Sequence, residues 1–158
     1  MPITKTLVSY ELKLPKKTDK LNKRQKADLK RDIAEHVLTR IESDTRAGFS
    51  PVDGGEFADL SKAYKAKKKK EGKGTRADLH LKDDMIESIK AVFKEDSIIF
   101  KITDRTEKLK AFNHNKGDTV PQRPFLPDDK RRGDMGTFSP SITGEIKEII
   151  NEAVKDAS

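Results

Sequence analysis

Few residues of this chain stand at spacings that chemistry would use. The three histidines, His36, His80 and His114, are scattered, and none has the spacing of a metal-ligand set. Asp83–Asp84 and Asp128–Asp129 are neighbouring carboxylates. Side chains adjacent in sequence point different ways, so such pairs serve as caps at turns and helix starts rather than as an acid and its base. Gly72–Lys73–Gly74–Thr75 has the residue types of a phosphate loop but neither its spacing nor a strand before it. No nucleophile elbow is present. His114, Asp118 and Arg123 could share a pocket only if the fold gathers them, and nothing in their spacing does so. The expectation is a protein that is not an enzyme, with no catalytic residue, cofactor or metal.

The stretch with the most constrained backbone runs from Val120 to Pro127, with Pro121, Pro124 and Pro127 three residues apart. Proline fixes its own φ and biases the preceding residue toward extended geometry. Val120, Arg123 and Leu126 are therefore all held extended, and the segment reads as a stiff strap. It cannot be a central strand, because proline donates nothing to a ladder. Arg123 carries a fixed charge on this backbone, and Phe125 and Leu126 follow as an anchor. On composition alone it reads as a tether between a loop and the core.

Length and composition set the frame. A chain of 158 residues forms one domain, and with 33% hydrophobic against 39% charged residues its core is small. Two segments are expected to stay outside that core: a Lys-rich arm at about 62–76 and an exposed loop at about 128–138. The absence of cysteine excludes disulfides and Cys-based zinc sites and suits a reducing cytoplasm. No apolar run approaches membrane-spanning length, so a soluble protein without membrane contact is expected. The net charge of +7 allows either an acidic or nucleic-acid partner or a solvated basic surface.

Hydrophobic periodicity gives the element order. Val8, Tyr10, Leu12 and Leu14 alternate with polar residues, as in a half-buried strand over 4–14. Thr18, Asp19 or Asn22 can cap a long helix over about 21–46, in which Leu29, Ile33, Val37 and Ile41 recur every four residues. Gly48 suits its C-terminal cap. His36, beside that stripe, is assigned no chemistry. A short basic helix over about 62–70 is anchored by Phe57, Leu60 and Tyr64. A helix or turn through Met85 and Ile86 leads into a hairpin, with strands over 88–94 and 97–103 around Glu95–Asp96. A short helix follows from Asp104 to about Asn115. The last helix starts at Pro140 or Ser141 and carries Ile142, Ile146, Ile149, Ile150, Ala153 and Val154 on one face. The fold class is α+β: a small, mostly antiparallel sheet with a long N-terminal helix and a C-terminal helix packed on it.

Three blocks, in order, carry a family resemblance. The first runs from Asp53 to Lys67, with Gly55, Phe57, Leu60–Ser61, Tyr64 and Lys67 in a Gly, aromatic, Leu-Ser, aromatic, Lys rhythm; Phe57 stands where Trp is usual. The second is Leu79–His80–Leu81 followed by Met85–Ile86–Glu87–Ser88–Ile89, with Asp83–Asp84 in place of the usual Thr-Gly. The third is Phe112 to Gly117 followed by Pro121–Gln122–Arg123–Pro124–Phe125–Leu126, which fits a Pro-x-Arg-Pro-Phe-Leu pattern in full. On these residues the chain resembles the virion morphogenesis or tail-completion proteins of tailed bacteriophages, the family that includes the Mu-like version. It is more loosely similar to lambda-like tail-terminator and tail-component proteins.

The resemblance implies a structural protein of the phage neck or tail end, found in the virion and assembled in the host cytoplasm. It would act as a subunit of a homo-oligomeric ring, commonly a hexamer. Its partners would be its own copies and neighbouring tail-tube, sheath or head–tail connector proteins, with transient contact to packaged DNA. The interface residues expected on this reading are Arg123, Phe125, Leu126, Phe57, Tyr64, Lys67, Lys68, Arg131 and Arg132. Arg123 would pair with a carboxylate through its planar fork, and Phe125 would fill a pocket. The alternative is a small basic DNA-binding protein using Lys62 to Lys73 and Lys130 to Arg132, whose affinity would fall steeply with salt.

Overall fold

The computed structural model describes residues 9–52, 54–56, 66, 69–70, 84–102, 125–127 and 137–157. The start of the expected first strand, nearly all of the Lys-rich arm, the helix expected after Asp104, residues 120–124 of the strap and residues 128–136 of the loop lie outside them.

The elements are β1 (Ser9–Lys13), a 3-10 turn (Lys16–Lys20), α1 (Lys23–Arg46), α2 (Asp84–Glu87), β2 (Ile89–Phe93), β3 (Ser97–Ile102) and α3 (Pro140–Asp156). The strands form a three-stranded antiparallel sheet in the order β1-β3-β2. With the two long helices this is the α+β arrangement that the periodicity predicts.

Alternation decides which sheet face is covered. In β3, Ile98, Phe100 and Ile102 are buried, while Ile99 and Lys101 between them are half-buried on the opposite face. The register places Tyr10 and Ala91 either side of Phe100, Leu12 and Phe93 either side of Ile98, and Ile89 beside Ile102. Cross-strand rows of this kind are the units that stabilise a sheet. Against this face lie Leu29, Ile33, Ala34, Val37 and Ile41 of α1 and Ile142, Ile146 and Ile150 of α3, in one continuous core. Phe138 packs edge-on against both Tyr10 and Phe100, with ring centroids at 5.4 and 6.1 Å. The loop expected to stay exposed as far as residue 138 therefore turns inward by Phe138, because an aromatic side chain there completes the core.

Local signals set the ends of α1. Of the three candidate caps, Asn22 is the one used. Its Oδ1 accepts from the Gln25 N–H at 2.8 Å, and the Gln25 Oε1 accepts from the Asn22 N–H at 2.9 Å, a reciprocal capping box. Thr18 instead closes the turn before it, donating from Oγ1 to the Pro15 carbonyl at 2.7 Å. At the other end Gly48 takes φ 86°. Its N–H reaches the Thr45 carbonyl at 3.1 Å and the Phe49 N–H reaches the Asp44 carbonyl at 2.9 Å. This is the paired closure that a left-handed residue after a helix permits.

Two tethers fix the periphery. The Ser139 N–H donates to the Pro51 carbonyl at 2.8 Å, holding the turn after α1 against the start of α3. The β2–β3 turn is held from α1: Lys26 pairs with both Asp19 and Asp96, and Lys30 donates to the Lys94 and Glu95 carbonyls.

Phe100→Ala should lower unfolding free energy in urea by about 3–5 kcal/mol, as for a large buried aromatic. Asn22→Ala should cost about 1 kcal/mol, the usual worth of a cap. A loss below about 1 kcal/mol for Phe100→Ala would mean that β3 is not the centre of the core.

Candidate functional site

Of the side chains expected to form an interface, Phe125 and Leu126 fall among the described residues. They are 0% and 1% exposed, within this chain's own core. The physical reason is area: two large apolar side chains gain most by entering the nearest core. They anchor the end of the strap and are not presented to a neighbour. Arg123, Phe57, Tyr64, Lys67, Lys68, Arg131 and Arg132 lie outside the described residues.

A polar cluster that sequence spacing does not announce spans α1 and α3. His36 and Arg40 stand one turn apart on α1 and face Glu145 of α3. The His36 Nε2–H donates to Glu145 Oε2, and the Arg40 guanidinium donates to Glu145 Oε1. Arg40 also reaches Asp44 at 3.4 Å and the Ser141 Oγ at 3.3 Å. Burial alone would push the Glu145 carboxyl up, but the hydrogen bonds from Arg40 and His36 outweigh it and hold the group below its ordinary range. Arg40 is likewise desolvated, yet its bonds to Glu145 and Asp44 keep its pKa above the usual value. Both helices present these residues because α1's apolar stripe packs against α3, leaving the flank of each helix at the boundary with water.

The geometry limits what the cluster can do. A serine nucleophile needs contact with a histidine whose other nitrogen meets a carboxylate. Here Glu145 sits between the two: the Ser141 Oγ is 3.4 Å from Glu145 Oε1, and His36 bonds the same carboxylate. Ser141 is therefore not activated by His36. The neighbouring concavities are an open groove of about 340 Å³ lined by Asp32, Glu35, His36, Thr39 and Ile149, and another of about 290 Å³ that includes Arg40, Asp44, Phe49 and Ser141. Among the described residues no group of three or more His, Cys, Asp and Glu could hold a metal ion, and no helix is long and apolar enough to cross a membrane. The cluster is an interhelical lock.

Two surface features remain. Val92 and Phe93 on the outer strand β2 are 38% and 48% exposed, and Phe49 is 40% exposed. Phe93 is the last residue of β2 and stands beside the buried Ile98 in the register. The second feature is a concentration of cations around the 3-10 turn and the first turn of α1, which holds no acidic residue. Comparison with protein families, with characterised proteins and with solved structures gave no match to this chain.

Glu145 ionises more readily in the fold than in the unfolded chain. Its contribution is therefore present above the ordinary carboxyl value of 4.5 and is lost as pH falls through the lower folded value. Glu145→Gln should cost up to about 1 kcal/mol at neutral pH, as for partly exposed pairs, and should flatten the stability profile below about pH 4.5. Equal acid sensitivity in the variant and the wild type would show that the lock contributes nothing.

Proposed function

We propose that this chain is a structural subunit of a tailed-bacteriophage neck or tail end, acting in tail completion or head–tail joining as part of a closed ring of its own copies, a hexamer being the expected form. The three sequence blocks support the phage assignment. The observation that carries assembly is the state of β2. It is an outer strand of the sheet, and it holds two of the large apolar side chains that stay exposed, Val92 and Phe93. Among the described residues neither outer edge of the sheet is paired.

An unpaired edge is a template for a strand of another chain, and exposed apolar area beside it adds to the gain from pairing. One protomer carries two different edges, β1 and β2. Contact between the β2 edge of one copy and the β1 edge of the next is head-to-tail, and such contacts close into rings when the rotation per subunit divides a full turn. Residues pinned at the boundary, such as the His36–Glu145–Arg40 lock, then serve to keep the subunit rigid. Neighbouring tail-tube, sheath or connector proteins would meet the ring on its two faces.

Light scattering coupled to size exclusion should give the mass of a ring for the wild type and of a monomer for the double variant Val92→Lys, Phe93→Lys, with little change in thermal midpoint. A wild type that is monomeric at every concentration sinks the reading. Arg123→Ala should weaken the ring; if the assembly is unaffected, the strap is a tether only.

A further inference from the structure

The net charge of this protein is not spread evenly. Residues 13–31 hold nine basic side chains against two acidic ones, an excess equal to the +7 of the whole chain. The fold gathers them at one end. The 3-10 turn, bearing Lys16, Lys17 and Lys20, runs through Leu21 straight into the Asn22 cap, and Lys23 and Arg24 open α1. The β2–β3 turn is tied to the same end by Lys26 and Lys30, which brings Lys94 there together with the acidic Glu95 and Asp96, and the β1–β3 register sets Lys13 beside that turn.

Internal pairing compensates only part of this charge, at Lys26 and Arg31. Asp19 and Asp96 are both drawn onto Lys26, whose pKa is raised by its bond to Asp96 first. Lys17 is turned onto the Asn151 side chain. Lys16, Lys20, Lys23 and Arg24 are exposed, and none has a carboxylate within ion-pair range among the described residues. Their position also opposes the helix macrodipole, whose positive end favours acids. A chain that keeps cations at such a place gives up stability there, and an external polyanion would restore it.

The chemistry of the surface selects the partner. Protein interfaces have an apolar centre, whereas here Leu21 and Leu29 are turned into the core at 7% and 2% exposure, Leu14 is half-buried, and the apolar residues left exposed in the stretch are the small Pro15 and Ala27. What is left outward is charge on two rigid elements, which suits a phosphate backbone and offers nothing to read bases. We infer that Lys16, Lys20, Lys23 and Arg24 form a sequence-independent contact surface for the phosphate backbone of duplex DNA. The surface contains none of the residues of the Lys-rich arm, and the inference stands whether or not the chain assembles.

Fluorescence anisotropy with a labelled duplex of about 24 base pairs, titrated between about 50 and 200 mM KCl, tests it. The wild type should bind with a steep salt dependence. The variant K16Q/K20Q/K23Q/R24Q should bind at least about tenfold more weakly, with a slope of log K against log salt shallower by about 3–4, the value for four lost phosphate contacts. Its thermal midpoint should be unchanged or higher, because the repulsion at the start of α1 is relieved, and this separates lost contact from lost fold. Unaltered affinity and slope in the variant would overturn the inference, as would a wild type that ignores DNA at about 50 mM salt. So would binding to phosphatidylserine–phosphatidylcholine vesicles in preference to DNA, or loss of DNA binding in K67Q/K68Q while K16Q/K20Q/K23Q/R24Q retains it.

Discussion

The structure depends on one burial: the face of β3 carrying Ile98, Phe100 and Ile102 against the stripe of α1 carrying Leu29, Ile33, Val37 and Ile41. In a chain with so high a charged fraction these side chains are a large share of what can be removed from water, and apolar burial is the main favourable term in folding. Everything else is placed relative to that contact. β1 and β2 are positioned by their ladders to β3, α3 closes over the remaining apolar surface, and Phe138 and Phe125 fill the space between.

The same constraint explains where polarity goes. Once α1 commits its stripe to the sheet and to α3, His36 and Arg40 are left at the rim, where half-burial makes an unpaired charge costly. Glu145 answers both. The cations of the first turn of α1 are exposed, while Lys26, one turn on, takes up Asp19 of the 3-10 turn and Asp96 of the β2–β3 turn. Among the described residues the two long helices are thus interlocked by cation–carboxylate pairs, and exposed cations gather around the 3-10 turn and the first turn of α1.

Elements with a strong local period were legible in the chain alone. The four-residue recurrence from Leu29 to Ile41 and the alternation through Ile98, Phe100 and Ile102 each exceed what a loop would show, and both gave the right element. The anchor role of Phe125 and Leu126 was also readable, because a stiff strap ending in two apolar residues has little choice but to bury them. Phe125 enters its own core and not a neighbour's pocket, because that core is the nearer one. The His36–Glu145 contact joins residues 109 apart and left no mark in the sequence, since long-range pairing follows from helix packing and not from spacing. The basic end was hidden for a related reason. Runs of lysine at 67–70 draw the eye, whereas the cations of residues 13–31 are dispersed among polar and apolar residues and become a cluster only when turn, helix and hairpin meet.

The central claim is that this chain is a part in an assembly. Electron-microscopy class averages of the purified full-length protein test it most directly. The account predicts closed rings with one subunit contact repeated around the axis and with β2 at that contact. Averages that contain only isolated protomers, at concentrations where rings would be stable, would contradict it.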